Sequence, residues 1–415
     1  MSDETDANVP RPAGEPHASG PFLSRGVASV GLASFFSDTG HEITTAMLAS
    51  FVTGTLRGSA SALGLIEGIS DAILGLAALV GGTLANDEER RLRLARGGYI
   101  SMAAATGLIG FAVALWQVAI LRAASWLARG LRSPSRDSIL TSLAPREAYG
   151  RAFGIERAGD NLGAVAGPLA AAALVATIGI RPTLVAAAFP SLLAAVAITV
   201  AAVEARKLSV PVRRRVSLEL RGLHAAGFTR PLLPVVLFEA ANVSTALLIL
   251  RATGLLQHGG RDLVQATSLA ILLYAGHNAA AAVVAYAAGH RIDRTSPRPV
   301  FTVAALVYVG AYATFAFPLH TWPAILGAFA LAGAGIGLAE AAESTLVARI
   351  LPEHLRGSGF GVLGGIQSFG GFASSAIAGL LWAAFSPAVA FAYVAVLMTL
   401  SAIAASGLLM DSPPD

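Results

Sequence analysis

Pro145-Arg-Glu-Ala-Tyr-Gly150-Arg-Ala-Phe153-Gly154 and, 207 positions later, Pro352-Glu-His-Leu-Arg-Gly357-Ser-Gly-Phe360-Gly361 are two copies of one motif. The same offset carries Gly82 onto Gly289, Asn86 onto Asp293, Arg91 onto Arg298 and Gly130 onto Gly337. The offset is half of the 415-residue chain. The chain therefore reads as one unit written twice, and a duplicated, mostly apolar unit points to two similar halves facing a central site.

Working outward, 55% of the residues are hydrophobic and 13% are charged. Soluble domains carry roughly 25% charge. Spanning ~30 Å of hydrocarbon takes ~20 mostly apolar residues per helix, and about twelve such stretches occur. Lipid leaves open sheet edges unsatisfied, and long Ala-, Leu- and Gly-rich segments without short alternation favour helices over a closed barrel. The spacing predicts spans at 27–55, 61–86, 97–116, 117–144, 150–178, 182–204, 231–256, 263–289, 299–318, 322–349, 356–384 and 386–409. The expected fold class is an all-α membrane protein, twelve transmembrane helices in two pseudo-symmetric six-helix bundles. The expected organisation is a disordered tail (1–22), a first bundle (23–204), a linker (205–230), a second bundle (231–410) and a short tail (411–415).

Charge sets the orientation. Twenty Lys and Arg fall on one side of these spans, and only Arg57, Arg181 and Arg261 on the other. By the positive-inside rule both termini and the linker are expected in the cytoplasm, with the chain in a bacterial inner membrane. The same distribution argues against a nucleic-acid partner despite the net charge of +4. Residues 1–22 lack a cationic start followed by an apolar run, so no cleaved signal peptide is expected. The absence of cysteine removes disulfides, thiolate nucleophiles and Cys-type metal sites. No cofactor and no metal are expected.

Ionisable side chains inside spans mark a protein interior or a wet path. In the first half these are Asp38, His41, Glu42, Glu67, Asp71, Arg122, Arg129, Arg132, Arg136, Asp137, Glu156, Arg157 and Asp160. The second half has fewer: Glu239, Arg251, His277, Glu340 and Glu343. Asp38 and Glu42, Glu67 and Asp71, and Glu156 and Asp160 are i,i+4 pairs, each on one helix face. The arginines of the fourth span fall within roughly an 80° sector at ~100° per residue. Such a face must meet carboxylates, water or an anionic ligand. Asp38, Glu42 and Asp71 are the candidate proton carriers, since close carboxylates raise one another's proton affinity. Arg129 and Arg132, with Asn242, Tyr274, His277 and Asn278 from the second half, are the candidate substrate contacts. Arg136, Asp137, Glu156, Arg157 and Asp160, with Asp293, Arg294 and Arg298, are the candidate gating and ion-pair residues.

These residues resemble the major facilitator superfamily over about residues 27–410. In that superfamily a G-x-x-x-D-R-x-x-x-R loop follows the second and eighth helices. Gly289-His-Arg-Ile-Asp293-Arg294-Thr-Ser-Pro-Arg298 matches it closely. The first copy keeps Gly82, Arg90 and Arg91 but has Asn86 for the acid and Asp87 for the arginine. The resemblance implies an acid–arginine latch on the cytoplasmic face. Gly159-Asp-Asn-Leu-Gly163-Ala-Val-Ala-Gly167-Pro168 is similar to the G-x-x-x-G-P motif of the superfamily's antiporters and exporters. A narrower likeness is to a poorly characterised bacterial subgroup. It rests on Ser37-Asp38 with Glu42, on Gly130-Leu-Arg132-Ser-Pro134-Ser-Arg136-Asp137, and on Gly150-Arg151-Ala-Phe-Gly154-Ile-Glu-Arg157-Ala-Gly-Asp160. Where the subgroup tends to have an acid and an arginine, this chain has Ser125 and Trp126.

An ATP-driven pump needs a G-x-x-x-x-G-K-[ST] loop, and the single lysine, Lys207, lies between Arg206 and Leu208. After His41-Glu42, Thr45 stands where a zinc peptidase has its second histidine. An enzyme is therefore not expected. The expected function is secondary transport by alternating access: proton-coupled export of a small organic compound, by a monomer in the bilayer. The alternative is uptake or exchange of an organic anion held by the fourth-span arginines.

Overall fold

The computed structural model describes residues 22–208 and 220–408. The expected tails, apart from Phe22, and residues 209–219 of the expected linker lie outside the described residues. Fifteen α-helices follow in chain order: α1 (Arg25–Ser50), α2 (Ala60–Ala85), α3 (Glu88–Leu108), α4 (Leu115–Leu143), α5 (Tyr149–Ile178), α6 (Ile180–Ala186), α7 (Ala188–Leu208), α8 (Leu220–Ala225), α9 (Thr229–Glu239), α10 (Thr245–His258), α11 (Leu263–Arg294), α12 (Pro297–Ala316), α13 (Trp322–Ile350), α14 (Glu353–Ala384) and α15 (Pro387–Leu408). With the six-residue α8 of the expected linker set aside, grouping α6 with α7 and α9 with α10 gives the twelve expected passes among the described residues. Seven are long and apolar enough to cross a membrane by length and composition alone: α2, α5, α6–α7, α11, α12, α13 and α15. Passes α1, α3 and α4 are less apolar: α1 and α4 carry charges that the bundle pairs internally, and α3 opens with charged, mostly exposed turns at the arginine-rich end.

The third and seventh passes depart from the expected spans, and the first ends at 55 as expected but in a different helical form. The third pass starts at Glu88 rather than 97, because the Asp87 carboxylate caps it by accepting the Arg90 N–H at 2.9 Å. The first pass ends in a π-helical turn, Phe51–Thr55. The seventh pass breaks at residues 240–244. Tyr312 on α12 satisfies the opened backbone, its hydroxyl accepting from the Val243 N–H at 3.2 Å and donating to the Ala241 carbonyl at 2.9 Å.

The duplication is visible in the packing. Helix α2 packs on α4 as α11 packs on α13, α3 on α4 as α12 on α13, and α3 on α7 as α12 on α15. Gly130 and Gly337, matched by the 207 offset, do the same job. A methyl at Gly130 would fall 2.6 Å from the Leu74 carbonyl oxygen on α2, and one at Gly337 2.5 Å from the Ala281 carbonyl oxygen on α11. Between the bundles α5 packs on α11 and α2 on α14. At both seams glycine backbones touch, Gly150 against Gly289 and Gly82 against Gly357 and Gly361.

Hydrogen bonds that join the bundles gather at the arginine-rich end. Asp293 accepts from the backbone N–H groups of Gly150 (2.7 Å) and Arg151 (3.0 Å), and it pairs with Arg151 (2.8 Å) and Arg349 (3.3 Å). Asn86 accepts from the Ser358 N–H at 3.0 Å and donates to its hydroxyl at 2.7 Å. Phe153 meets Phe360, ring centres 5.7 Å apart. Phe22, assigned to the tail by sequence, lies under the Arg151 guanidinium at 4.4 Å. This end of the molecule is closed.

Candidate substrate and coupling site

Beyond that closure a cavity of about 590 Å³ lies between the bundles. Asp38, Asp71, Arg129, Arg157 and Asp160 line it from the first bundle; Asn242, Tyr274, His277, Asn278, Tyr308 and Glu340 do so from the second. The four second-half residues expected to be substrate contacts, Asn242, Tyr274, His277 and Asn278, all line this cavity.

The centre of the first-bundle wall is an ion pair. Arg129 donates to both Asp38 oxygens, at 2.8 and 3.2 Å, and the two side chains are 21% and 11% exposed. The pair is held from behind by the glycine row of α5. A methyl at Gly163 would lie 2.6 Å from the Phe35 carbonyl and 3.0 Å from Asp38 Cβ; one at Gly167 would lie 2.5 Å from Glu42 Cβ. The row lets α1 and α5 meet backbone to backbone and fixes the face that bears Asp38 and Glu42. Asp38 is neutralised by Arg129 rather than paired with Glu42, which is half-buried one turn on and outside the cavity lining.

A second pair stands one layer away. Arg122, 1% exposed, grips Glu67 through Nε and Nη2 at 3.0 and 3.1 Å and reaches Thr45 at 3.1 Å. Trp126 separates the pairs, its ring 5.1 Å from the Arg122 guanidinium and 5.6 Å from that of Arg129, with His41 edge-on at 4.6 Å. Asp71 is exposed to the cavity one turn from Glu67.

Deeper, toward the closed end, lies a chamber of about 310 Å³ lined by Arg129, Ser133, Arg136, Asp137, Arg157, Asp160, Glu340 and Gln367, among others. Its ion pairs hold α4 and α5 together. Arg136 meets Glu156 at 2.6 Å, Asp137 at 3.0 Å and Asp160 at 3.4 Å. Arg157 meets Glu156 at 3.2 Å and crosses to the second bundle, donating to the Ser344 hydroxyl at 3.1 Å and standing 4.0 Å from Glu340. The five residues expected to form a network do form one.

Three expected residues stand elsewhere. Arg132 is not a cavity residue: it is 1% exposed, turned toward α3, with its guanidinium 3.8 Å above the Tyr99 ring and bonded to the Ser37 hydroxyl at 2.6 Å. Arg294 is exposed and outside the latch that its neighbour Asp293 makes. Arg298 donates instead to the Ser406 carbonyl near the end of α15. Sequence reasoning left out of the site Glu340 and Ser344, which meet Arg157. The signal was present in Glu340-Ala-Ala-Glu343-Ser344, a polar string in an otherwise Gly- and Ala-rich pass.

The sequence model of the Major Facilitator Superfamily matches residues 30–267 and 232–415. The chain belongs to this superfamily. An uncharacterised MFS-type transporter of Methanocaldococcus jannaschii is 24% identical over 383 residues, 92% of this chain and 94% of that one. Multidrug resistance protein MdtG of Salmonella typhimurium is 27% identical over 292 residues, 68% of this transporter and 70% of MdtG. Two solved structures share the fold at 14% identity. The human organic anion transporter MFSD10 has a TM-score of 0.68, covering 93% of this chain and all of that one. FucP in its outward conformation has a TM-score of 0.67, covering 92% and 97%. This superfamily member is a multi-pass membrane transporter.

Proposed function

We propose that this transporter exports a small organic compound in exchange for protons, with Asp38 as the principal proton carrier. The observation that carries the reading is the bidentate Arg129–Asp38 pair in the cavity wall. Charge-assisted pairs of this geometry are strong when partly desolvated. A proton arriving on Asp38 removes one charge of the pair, frees Arg129 and changes what the wall can bind. Asp71, open to the cavity, supplies a path for that proton, and Glu42 a further acceptor one turn along α1. Four acids (Asp38, Asp71, Asp160, Glu340) against two arginines (Arg129, Arg157) on the cavity wall favour a neutral or cationic compound. The glycine row ending in Pro168 and the likeness to a multidrug resistance protein support export. The positive-inside rule supports a cytoplasmic, bacterial inner-membrane orientation for the arginine-rich end, with the closed end facing inward.

One pH unit supplies about 1.4 kcal/mol and 100 mV about 2.3 kcal/mol per charge. Together they sustain a solute ratio of several hundredfold per proton. The test is flux in proteoliposomes across an imposed proton gradient, with compounds ranked beforehand by thermal shift. Asp38→Asn should abolish gradient-driven accumulation, and Glu42→Gln should weaken it, with both proteins still folded. Unchanged coupling in Asp38→Asn sinks the assignment. A second reading, exchange of an organic anion, is favoured by the residual exposure of Arg129: an anion could displace Asp38 from it. Flux indifferent to pH and inhibited by small carboxylates or phosphates selects that reading.

A further inference from the structure

On the outer face of the first bundle, a groove of about 670 Å³ runs between α3 and α4 and ends against Leu84 of α2. Its floor is Gly97, Gly98, Ser101, Ala124 and Ala128, with Leu127 and Leu131 along one wall. Between Leu131 and Ala124 the groove follows seven residues of α4, ~10 Å of helix. Arg90 and Arg93, both exposed, stand at its arginine-rich end.

Two features separate this groove from ordinary lipid-facing relief. The first is Gly97. Its neighbour Gly98 is used for packing, since a methyl there would fall 2.6 Å from Arg132 Cβ, but a methyl at Gly97 would meet nothing within 4 Å. Glycine disfavours a helix relative to alanine, and here no helix contact offsets that. What the missing side chain creates is depth. A groove wall with no partner atoms forfeits its dispersion contacts, and in a bilayer the atoms available to restore them are acyl methylenes.

The second feature is charge. Arg90 and Arg93 are three residues apart on one face of α3. The adjoining cleft adds Arg96 and Arg206 against Glu88 and Glu89, so the rim carries four arginines to two acids. Guanidinium groups recognise phosphate by paired N–H donors, and basic pockets beside spans at the positive-inside face select anionic headgroups.

We infer that this groove seats one anionic phospholipid, an acyl chain over Gly97 and the headgroup phosphate between Arg90 and Arg93. The test uses the full chain purified in detergent and titrated with phosphatidylglycerol or with phosphatidylcholine of identical chains, read by native mass spectrometry. Wild type should retain phosphatidylglycerol about fivefold better or more, and Arg90→Gln and Arg93→Gln should each lower that retention about fivefold. Gly97→Leu places its side chain in open space, so its melting temperature should match wild type while retention of the lipid falls. Equal retention of the two lipids by wild type overturns the inference. So does a Gly97→Leu protein that holds phosphatidylglycerol as before, since binding would then be headgroup adsorption without a seated chain.

Discussion

The two bundles share a backbone plan and treat buried charge in opposite ways. In the first, acids lie against arginines: Asp38 on Arg129, Glu67 on Arg122, Glu156 between Arg136 and Arg157. In the second, the buried acids rest on amides. Glu239 accepts from Asn242 at 3.2 Å, and Glu343, 1% exposed, from Gln367 at 2.9 Å. The arginine that comes nearest Glu340 is Arg157, from the other bundle. A buried ion pair is costly to break from one side, whereas an acid held by a neutral amide has no opposite charge that its removal would strand. Removing one partner of a buried contact should therefore cost more in the first bundle than in the second.

The largest effect should come from removing Arg136. Glu156 is fully buried, and Asp137 and Asp160 share the same guanidinium. Arg136→Ala should cost about 3–5 kcal/mol, the usual penalty for stranding a buried charge. Heating in detergent followed by size exclusion should show early loss of the folded peak. The matching change in the second bundle, Glu343→Gln, keeps an acceptor for Gln367 and should cost less than about 1 kcal/mol. Comparable losses in the two proteins would break the contrast between the bundles.

The asymmetry was partly legible in the sequence and partly not. Counting ionisable residues per half already separated the bundles, and the 207-residue repeat revealed two halves without saying that its glycines are the ones that meet at the seams. The i,i+4 spacing correctly put Asp38 and Glu42 on one face of α1. What helical periodicity could not do was choose between Arg129 and Arg132. Three residues apart, they differ by only ~60° around α4, yet that rotation turns one guanidinium toward Asp38 and the other toward Tyr99. The break in the seventh pass was equally hidden. It depends on the Tyr312 hydroxyl, 69 and 71 residues away along the chain from Val243 and Ala241, and no local signal announces such a partner. The early start of α3 was missed because its charged first turns read as loop in hydropathy, although Asp87 is a legible cap.

The same contrast recurs, reversed, at the arginine-rich closure. Here the last turn of α11, in the second bundle, carries the charge: Asp293 satisfies two backbone N–H groups of α5 and two arginines. Asp293→Asn should remove the ionic part and leave Arg151 and Arg349 without their anion, shifting the balance toward opening at this end. The chain has no cysteine, so Ser133→Cys, in the chamber below the cavity, is a clean reporter. An impermeant maleimide applied to the arginine-rich face should label it about tenfold faster or more with Asp293→Asn than without, a shift of ~1.4 kcal/mol.

The smallest effect is expected at the pseudo-equivalent position, and it is the most discriminating. Asn86 makes the first-bundle latch by accepting from the Ser358 N–H and donating to its hydroxyl. The charged contact beside it, Arg91 to Glu353 at 4.0 Å, has its acid 51% exposed, and exposed pairs contribute ~1 kcal/mol or less. Asn86→Asp keeps the acceptor for the N–H, and the Ser358 hydroxyl can turn to donate to the new carboxylate. Labelling of the Ser133→Cys reporter should then change less than about threefold, under ~1 kcal/mol. The close approach of Gly82 to Gly357 and Gly361 holds this seam whatever residue 86 carries. A large rise in labelling would mean that residue 86, rather than the glycine contact, keeps the first seam shut, and that the two latches are equivalent after all.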